Sequence, residues 1–493
     1  MDALLSFTAS DTIHRIREVL DRVGYTESNI HQLLGVAEVP PFRHRHQALS
    51  LHLWRTRGGS PLETFVRLFL LSQSVFIGDA RRAVAPMSLE DYVEAGLCSV
   101  KGEEVQAAFE LFPYQEFILA ADWPRDTTKP NPVMGVAASS RTLAQMTIRH
   151  RATRTLDLGT GCGVLAFLAA PHSERVWAVD RNPRAVLMTQ FNAQLNTVSN
   201  IEGREGDLFV PVQGQTFDLI FCNPPFVIAP EQGTLHTYSG LPADQLCQTI
   251  ILQAPAFLSE GGYCQLLCNW IQIVGQDWRE RLASWFKGTS CDALVLHSHS
   301  EDVTDYALKR ISEAESDPER GVRKFDQWMA YYTQEQIEAI GFGLITMRRS
   351  SRQPNWFRYE RLPEVQGACG NDMAQKFILT DFLEAHRADQ ALLDARLYCA
   401  PNVRWEQRST KKAEKWSLTE SRLRLTEGLS YTAEVDPLVS EFVVRWKGNR
   451  KVREYLQELA TATKQDKNRI VPGFLKVVRR LVELGFLLPV DTQ

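Results

Sequence analysis

Four consecutive residues, Asn223-Pro224-Pro225-Phe226, combine a side-chain amide, two residues without a backbone N–H and an aromatic ring. Proline locks φ and removes a donor, so the turn offers carbonyl oxygens that no neighbouring amide claims. The Asn223 side-chain oxygen and the Pro224 carbonyl can each accept one N–H of a planar amine or amide. Two such bonds push electron density onto a conjugated nitrogen, and holding it in line with an electrophile removes the entropic cost of alignment. Phe226 can stack against the flat group that carries the nitrogen. The chemistry this favours is transfer of a small group to nitrogen, and no residue is assigned as general base.

Upstream, Thr155-Leu156-Asp157-Leu158-Gly159-Thr160-Gly161-Cys162-Gly163 puts glycines at alternate positions, where side chains would keep a ligand from the backbone. A dinucleotide fingerprint needs its third glycine one position later, where Val164 stands, which argues against a nicotinamide cofactor. Asp180 ends the run Val176-Trp177-Ala178-Val179, at the tip of an expected second strand, where a carboxylate can accept both hydroxyls of a ribose.

The pattern Asp157-x-Gly159-x-Gly161-x-Gly163 resembles the first signature of class I methyltransferases, which use S-adenosyl-L-methionine. The resemblance implies that the loop receives the amino-acid end of this cofactor and that Asp180 holds its ribose. In Gly206-Asp207-Leu208-Phe209, Asp207 would take the adenine amino group and Leu208 or Phe209 would cover the ring. Gly135 and Ser139-Ser140-Arg141-Thr142 resemble the segment that closes over the methionine end, with a helix cap as the alternative. A sulfonium is already an excellent leaving group, so no nucleophilic Ser or Cys is needed.

With Asn223, Pro224, Pro225 and Phe226 as catalytic turn, residues 131–290 resemble the class I amino-methyltransferases: DNA adenine, ribosomal-RNA guanine and release-factor glutamine enzymes. Phe226 in place of the Tyr more usual in the glutamine enzymes leans to the nucleic-acid members, as does Gly261–Trp270, which looks like the strand after the turn in the guanine enzymes. The expected activity is methylation of a nucleobase exocyclic amine in RNA or DNA. One alternative is a glutamine amide in a protein such as a release factor; another is a regulator that binds the cofactor without turnover. His236 and Tyr238 either line the substrate mouth or are exposed loop residues.

The elements that must position these groups follow from apolar period. Strands are expected at Thr155–Asp157, Val176–Asp180, Leu219–Cys222, Tyr263–Cys268, Ala293–His297 and Gly341–Arg348, with helices from Gly163 and over Pro183–Asn196. This alternation predicts an α/β, Rossmann-like class I methyltransferase domain over 131–350, a parallel sheet wrapped by helices. Residues 1–125 predict a mainly helical domain: Ile13, Ile16, Val19 and Leu20 recur at helical spacing, Gly24-Tyr25-Thr26 breaks it, and a second helix starts near Ser28 in a helix-turn-helix arrangement. Further helices are expected at Pro61–Val75 and Leu89–Ala95, Phe65–Ile77 reads as a buried helix too short to span a bilayer, and the region closes near Pro113–Trp123. Arg43-His44-Arg45-His46, with Arg55 and Arg57, reads as a solvated surface, and 126–132 as a linker.

Residues 355–493 predict an α+β domain, and from 401 onward 18 Lys and Arg face 12 Asp and Glu. Helices near Lys451–Ala462 and Val471–Leu484 followed by an apolar strand at Gly485–Pro489 suggest a winged-helix-like end, a form that serves protein as well as nucleic-acid contacts.

The whole chain of 493 residues is long enough for two to four domains, and its net charge of -4 excludes a global case for a nucleic-acid coat or membrane-surface binder. Nine scattered cysteines and an amino terminus without a basic-then-apolar leader predict a cytoplasmic protein with reduced thiols. Cys264 and Cys268 are expected as core thiols and no metal site is expected. Trp270, Trp278 and Trp285 are expected to pack rather than to stack on bases.

Overall fold

The computed structural model describes residues 10–39, 42–124, 131–230, 240–315, 317–412 and 414–490. Two compact units result: residues 1–144 with 151–361, and residues 145–150 with 362–493. The first unit therefore takes in both the N-terminal segment and the expected α/β segment.

Its centre is an eight-stranded sheet. The strands are β1 (Ala152–Leu158), β2 (Ser173–Asp180), β3 (Ile201–Glu205), β4 (Phe217–Cys222), β5 (Leu258–Ile273), β6 (Cys291–Asp302), β7 (Ile337–Arg349) and β8 (Phe357–Arg361). Their order is β3-β2-β1-β4-β5-β7-β6-β8. All neighbours are parallel except β7, which runs antiparallel to β5 and to β6. This is the Rossmann-like α/β class expected for the central segment. Thr155 and Leu156, Val176 and Val179, and Leu219 and Ile220 are buried on both faces of β1, β2 and β4, as interior parallel strands require. Helices α1 (Val164–Ala169), α2 (Pro183–Leu195), α3 (Gln245–Gln253) and α4 (Trp278–Trp285) lie along the sheet. Asn182 caps α2 through its side chain and Pro183 occupies the first turn, where its missing N–H costs nothing.

β5 and β7 run past the end of β4, to Ile273 and back from Ile337. Two helices inserted between β6 and β7, α5 (Val303–Ala314) and α6 (Pro318–Gln334), cover this overhang. Their Tyr306, Trp328 and Tyr332 form a core with Ile271, Ile340 and Ile228. Trp270 and Trp285 are buried in the main core, and Trp270 stacks on Trp278, so the tryptophans do pack. Cys264 and Cys268 are buried, free and in the same core.

The N-terminal segment begins with helices Ser10–Arg22 and Glu27–Leu34, joined through Gly24 at φ +70° and capped by Thr26. It is less helical than its sequence suggests. The buried run from Phe65 is helical only to Leu70, then turns into a short strand at Val75–Phe76 that pairs with Glu104–Ala107. The closing stretch is a β-hairpin, Glu110–Tyr114 with Phe117–Ala121. Arg45, expected at a solvated surface, is buried and ion-paired with Glu110, and the pair offsets part of what burial costs each charge. The hairpin docks on α2 by side chains that imitate a strand: Asn192 accepts from the Ala120 amide at 2.7 Å and donates to its carbonyl at 3.1 Å. Asn196 does the same for Ile118, at 2.9 and 2.8 Å.

In the second unit, helix Gly370–Ala385 packs on helix Lys467–Glu483, and a long hairpin pairs Val403–Lys412 with Lys415–Leu425. Helix Val452–Thr463 precedes Lys467–Glu483, which starts at the Asp466 cap, before the expected Val471, and carries Pro472 inside it. Strand Leu487–Pro489 follows and pairs with Arg396–Cys399. Among the described residues no helix is long and apolar enough to cross a membrane.

Candidate active site

The strand order reverses between β1 and β4, and a crevice opens at the carboxyl ends of these neighbours, the place where such sheets bind ligands. The cavity there holds about 340 Å³ and is lined by the glycine loop, the ends of β2 and β4, and the segment from Pro132 to Ser140.

The glycine loop is forced by backbone geometry. Gly159, Gly161 and Gly163 all have positive φ, of +77°, +57° and +88°. Such values cost an L-residue roughly 1–2 kcal/mol each. A Cβ on Gly159 or Gly161 would meet no protein atom, so both leave their backbone open to the cavity. Gly163 does not line it: a Cβ there would press on Phe167 and Thr189 at 3.0 Å, and its place is under the loop at the start of α1. The amides of Gly159 and Thr160 both donate to the Val179 carbonyl, tying the loop to β2.

Asp157 is also beneath the loop rather than in the cavity wall. Its Oδ2 accepts from the Thr160 hydroxyl at 2.7 Å and the Ala166 amide at 3.0 Å, while Oδ1 is buried without a partner. Complete burial pushes its pKa up to about 7, against the pull of those two bonds. Asp180 lines the cavity and is half-buried, its two oxygens accepting from the amides of Gly161 at 3.0 Å and Asn182 at 2.9 Å. Burial raises its pKa too, opposed by these amides. Asp207 and Leu208 line the cavity, Asp207 exposed. Leu208 has φ +45°, a strained value for leucine that turns this residue to the cavity. Phe209, the alternative ring cover, is in the core, stacked on Phe257 at 4.5 Å.

At the end of β4, Asn223, Pro224, Pro225 and Phe226 all line the same cavity. The Asn223 amide nitrogen donates to the hydroxyls of Ser140 at 3.1 Å and Ser139 at 3.3 Å. Its Oδ1 is buried and accepts nothing. The serines thus decide which end of the amide is left available, and an unused acceptor stands beside the cofactor cavity. Of the Gly135–Thr142 stretch, Gly135, Ala137, Ser139 and Ser140 line the cavity, whereas Arg141 pairs with Glu38 at 2.9 Å on the N-terminal segment.

Two residues past Phe226 the backbone is pinned by groups that local sequence did not single out. The Ile228 amide donates to the Tyr306 hydroxyl at 3.1 Å, and its carbonyl accepts from the Tyr332 hydroxyl at 2.7 Å. Asp244 is buried, accepts from the Ile271 amide at 2.9 Å and is held by both terminal guanidinium nitrogens of Arg281 at 2.7 Å. His236 and Tyr238 lie outside the described residues. Among the described residues no group of three or more His, Cys, Asp or Glu is arranged to hold a metal.

The cavity suits S-adenosyl-L-methionine: open glycine backbone, a carboxylate at the end of β2, and an acid with an apolar neighbour at 207–208. Comparison with known proteins agrees. Residues 134–287 match the family described as methyltransferase small domain, and two families described as domains of unknown function match 22–108 and 374–489. A putative protein N5-glutamine methyltransferase of Methanocaldococcus jannaschii is 34% identical over 119 residues, covering 23% of this chain and 59% of that protein. The release factor glutamine methyltransferase of Xylella fastidiosa is 28% identical over 167 residues, covering 30% and 60%. The chain thus spans about three fifths of the length of these relatives. Among solved structures, the YcgJ protein of Bacillus subtilis is 15% identical over 43% of this chain and 98% of its own, with a TM-score of 0.29.

Proposed function

We propose, from the premise that residues 134–287 form a class I S-adenosyl-L-methionine-dependent methyltransferase domain, that this chain methylates the nitrogen of a planar amide, the side chain of a glutamine in a protein. The observation that carries the reading is the buried, unpartnered Oδ1 of Asn223 beside the cavity. An acceptor left without a donor in a folded protein costs about 1–3 kcal/mol, and an incoming N–H removes that cost. With the Pro224 carbonyl it offers two acceptors to the two hydrogens of a primary amide.

Bound S-adenosyl-L-methionine would supply the electrophilic methyl group. Asp180 and the open backbone at Gly159 and Gly161 would hold it, with Asp207 and Leu208 at the adenine end. Ser139 and Ser140 orient Asn223, Asn223 and Pro224 orient the accepting nitrogen, and Phe226 gives a flat wall. An amide lone pair is delocalised, so its alignment and the polarisation of its N–H bonds carry the catalysis. No strong base is needed beforehand, because the nitrogen becomes acidic as the new bond forms.

Glutamine is favoured over the nucleobase amine suggested by Phe226 because the relatives just described carry glutamine methylation in their names. The nucleobase reading keeps one observation in its favour, the basic, tryptophan-bearing hairpin at 403–425. Nine cysteines, all without a disulfide, support a reducing compartment and hence the cytoplasm. The test is to incubate the chain with cell extract and methyl-labelled cofactor, then digest with protease or nuclease. Label released as methylglutamine supports the proposal. Label on a nucleobase overturns it in favour of the second reading, and label in neither polymer removes both.

A further inference from the structure

The hairpin of Val403–Lys412 and Lys415–Leu425 carries seven Lys and Arg on its strands against three Glu, one of them, Glu414, in the turn. The three glutamates are outnumbered and partly used within the ribbon: Glu420 meets Arg408 at 3.2 Å and Glu406 meets Arg422 at 2.8 Å. Arg404, Lys411 and Lys415, together with Lys447 on the adjoining strand Lys447–Lys451, form no ion pair among the described residues.

A bulge decides what shares a face with these cations. The pairing runs Trp405 with Leu423 and Arg408 with Glu420, then skips Thr419 so that Ser409 faces Leu418 and Lys411 faces Trp416. Cross-strand partners lie on one face and faces alternate along a strand. Trp405, Leu418 and Trp416 therefore stand on the same face, with Lys411 among them; without the bulge Trp416 would be turned to the other side. They are 41%, 44% and 75% exposed. From Trp405 to Lys411 the strand advances about 20 Å. The inner end of this face opens on a cavity of about 810 Å³ lined by Trp405, Leu423, Val444, Arg445 and Lys447.

We propose that this face binds single-stranded nucleic acid, with bases stacked on Trp405 and Trp416, phosphates meeting Lys411 and Lys447, and Arg404 and Lys415 adding to the field. Exposed indole faces in series with uncommitted cations are what an unpaired strand requires, since every base has a π-face and every linkage a charge. An apolar peptide would leave Lys411 and Lys447 to be desolvated without partners, and an acidic peptide would make no use of two indoles. The proposal concerns the second unit alone and stands apart from the identity of the methyl acceptor.

The test uses the full chain and a fluorescein-labelled twelve-nucleotide oligouridine, with the corresponding oligothymidine, read by anisotropy. Two phosphate contacts on a single strand predict a fall in affinity of about seven-fold between 50 and 200 mM salt. Trp416→Ala should weaken binding roughly ten-fold, the loss of one stacked base. Lys411→Ala should make the salt dependence shallower by about one contact. Trp416 and Lys411 are exposed, so unchanged circular dichroism separates a binding defect from unfolding. Binding of either oligonucleotide with these losses supports the proposal. No binding, binding indifferent to Trp416→Ala, or equal displacement by a polyglutamate peptide overturns it.

Discussion

Tyr332 donates its hydroxyl to the carbonyl of Ile228 at 2.7 Å, two residues beyond Phe226, the ring that closes the Asn-Pro-Pro-Phe turn. Tyr306 accepts from the amide of the same residue, so both backbone groups of Ile228 are fixed by the helices inserted between β6 and β7. Phe at either position keeps the buried ring and removes only the hydroxyl. Each variant, Tyr306→Phe and Tyr332→Phe, should lower label transfer to extract about ten-fold, since the loosened turn no longer aligns the nitrogen. Cofactor affinity by calorimetry should stay within about two-fold, as neither tyrosine lines the cavity. Equal losses of transfer and cofactor binding would point to general unfolding and remove the positioning role.

Ser139 and Ser140 should matter to transfer without touching the accepting nitrogen. In the double variant Ser139→Ala with Ser140→Ala the Asn223 amide loses both acceptors, at 3.3 and 3.1 Å, and is free to turn its nitrogen to the cavity. Transfer should fall by about two orders of magnitude, the lower end of the scale for a lost oriented donor. Restoring one hydroxyl at 140 should recover most of it. A double variant as active as the parent would mean that the serines do not orient Asn223.

Asp157 should shape the pH dependence of stability. Its folded pKa of about 7 lies above the usual 3.8 because burial disfavours the charge. The stability it contributes is therefore full below about pH 4 and is lost as pH rises to about 7. Asn in its place stays neutral while still accepting from Thr160 and Ala166. Asp157→Asn should melt close to the parent at pH 4 and several degrees higher at pH 8, where the charged parent is worse off by about 4 kcal/mol at most. Parallel melting curves across that range would show that another group titrates.

Much of the site was legible because its signals are local. The glycine spacing, Asp180 and Asn223–Phe226 each sit at the end of a short apolar run, and β1, β2 and β4 carry them to one crevice. What sequence could not give is the choice of distant partner. Asn223 meets serines 83 and 84 residues away, and Ile228 meets tyrosines 78 and 104 residues away. Arg45 looked like surface because charge normally is, until the hairpin placed Glu110 against it. Asp157 and Gly163 belong to the glycine signature yet act below the loop, because a motif marks the residues needed to build a cradle as well as those that touch its contents. The edge of the hairpin at Phe117–Ala121 was missed because it is completed by asparagines from a helix rather than by another strand.

Those asparagines set where the gene can be cut. Asn192 reaches Ala120 with one pair of bonds and the Cys162 carbonyl, inside the glycine loop, with another at 2.9 Å. A shortened protein starting at residue 134, where the methyltransferase match begins, would lose the hairpin backbone that Asn192 and Asn196 bond, and with it the tie between that hairpin and the helix behind the Cys162 carbonyl. A piece that keeps these bonds extends back at least to Glu110, where the hairpin begins, and the N-terminal segment belongs to the same compact unit as the glycine loop.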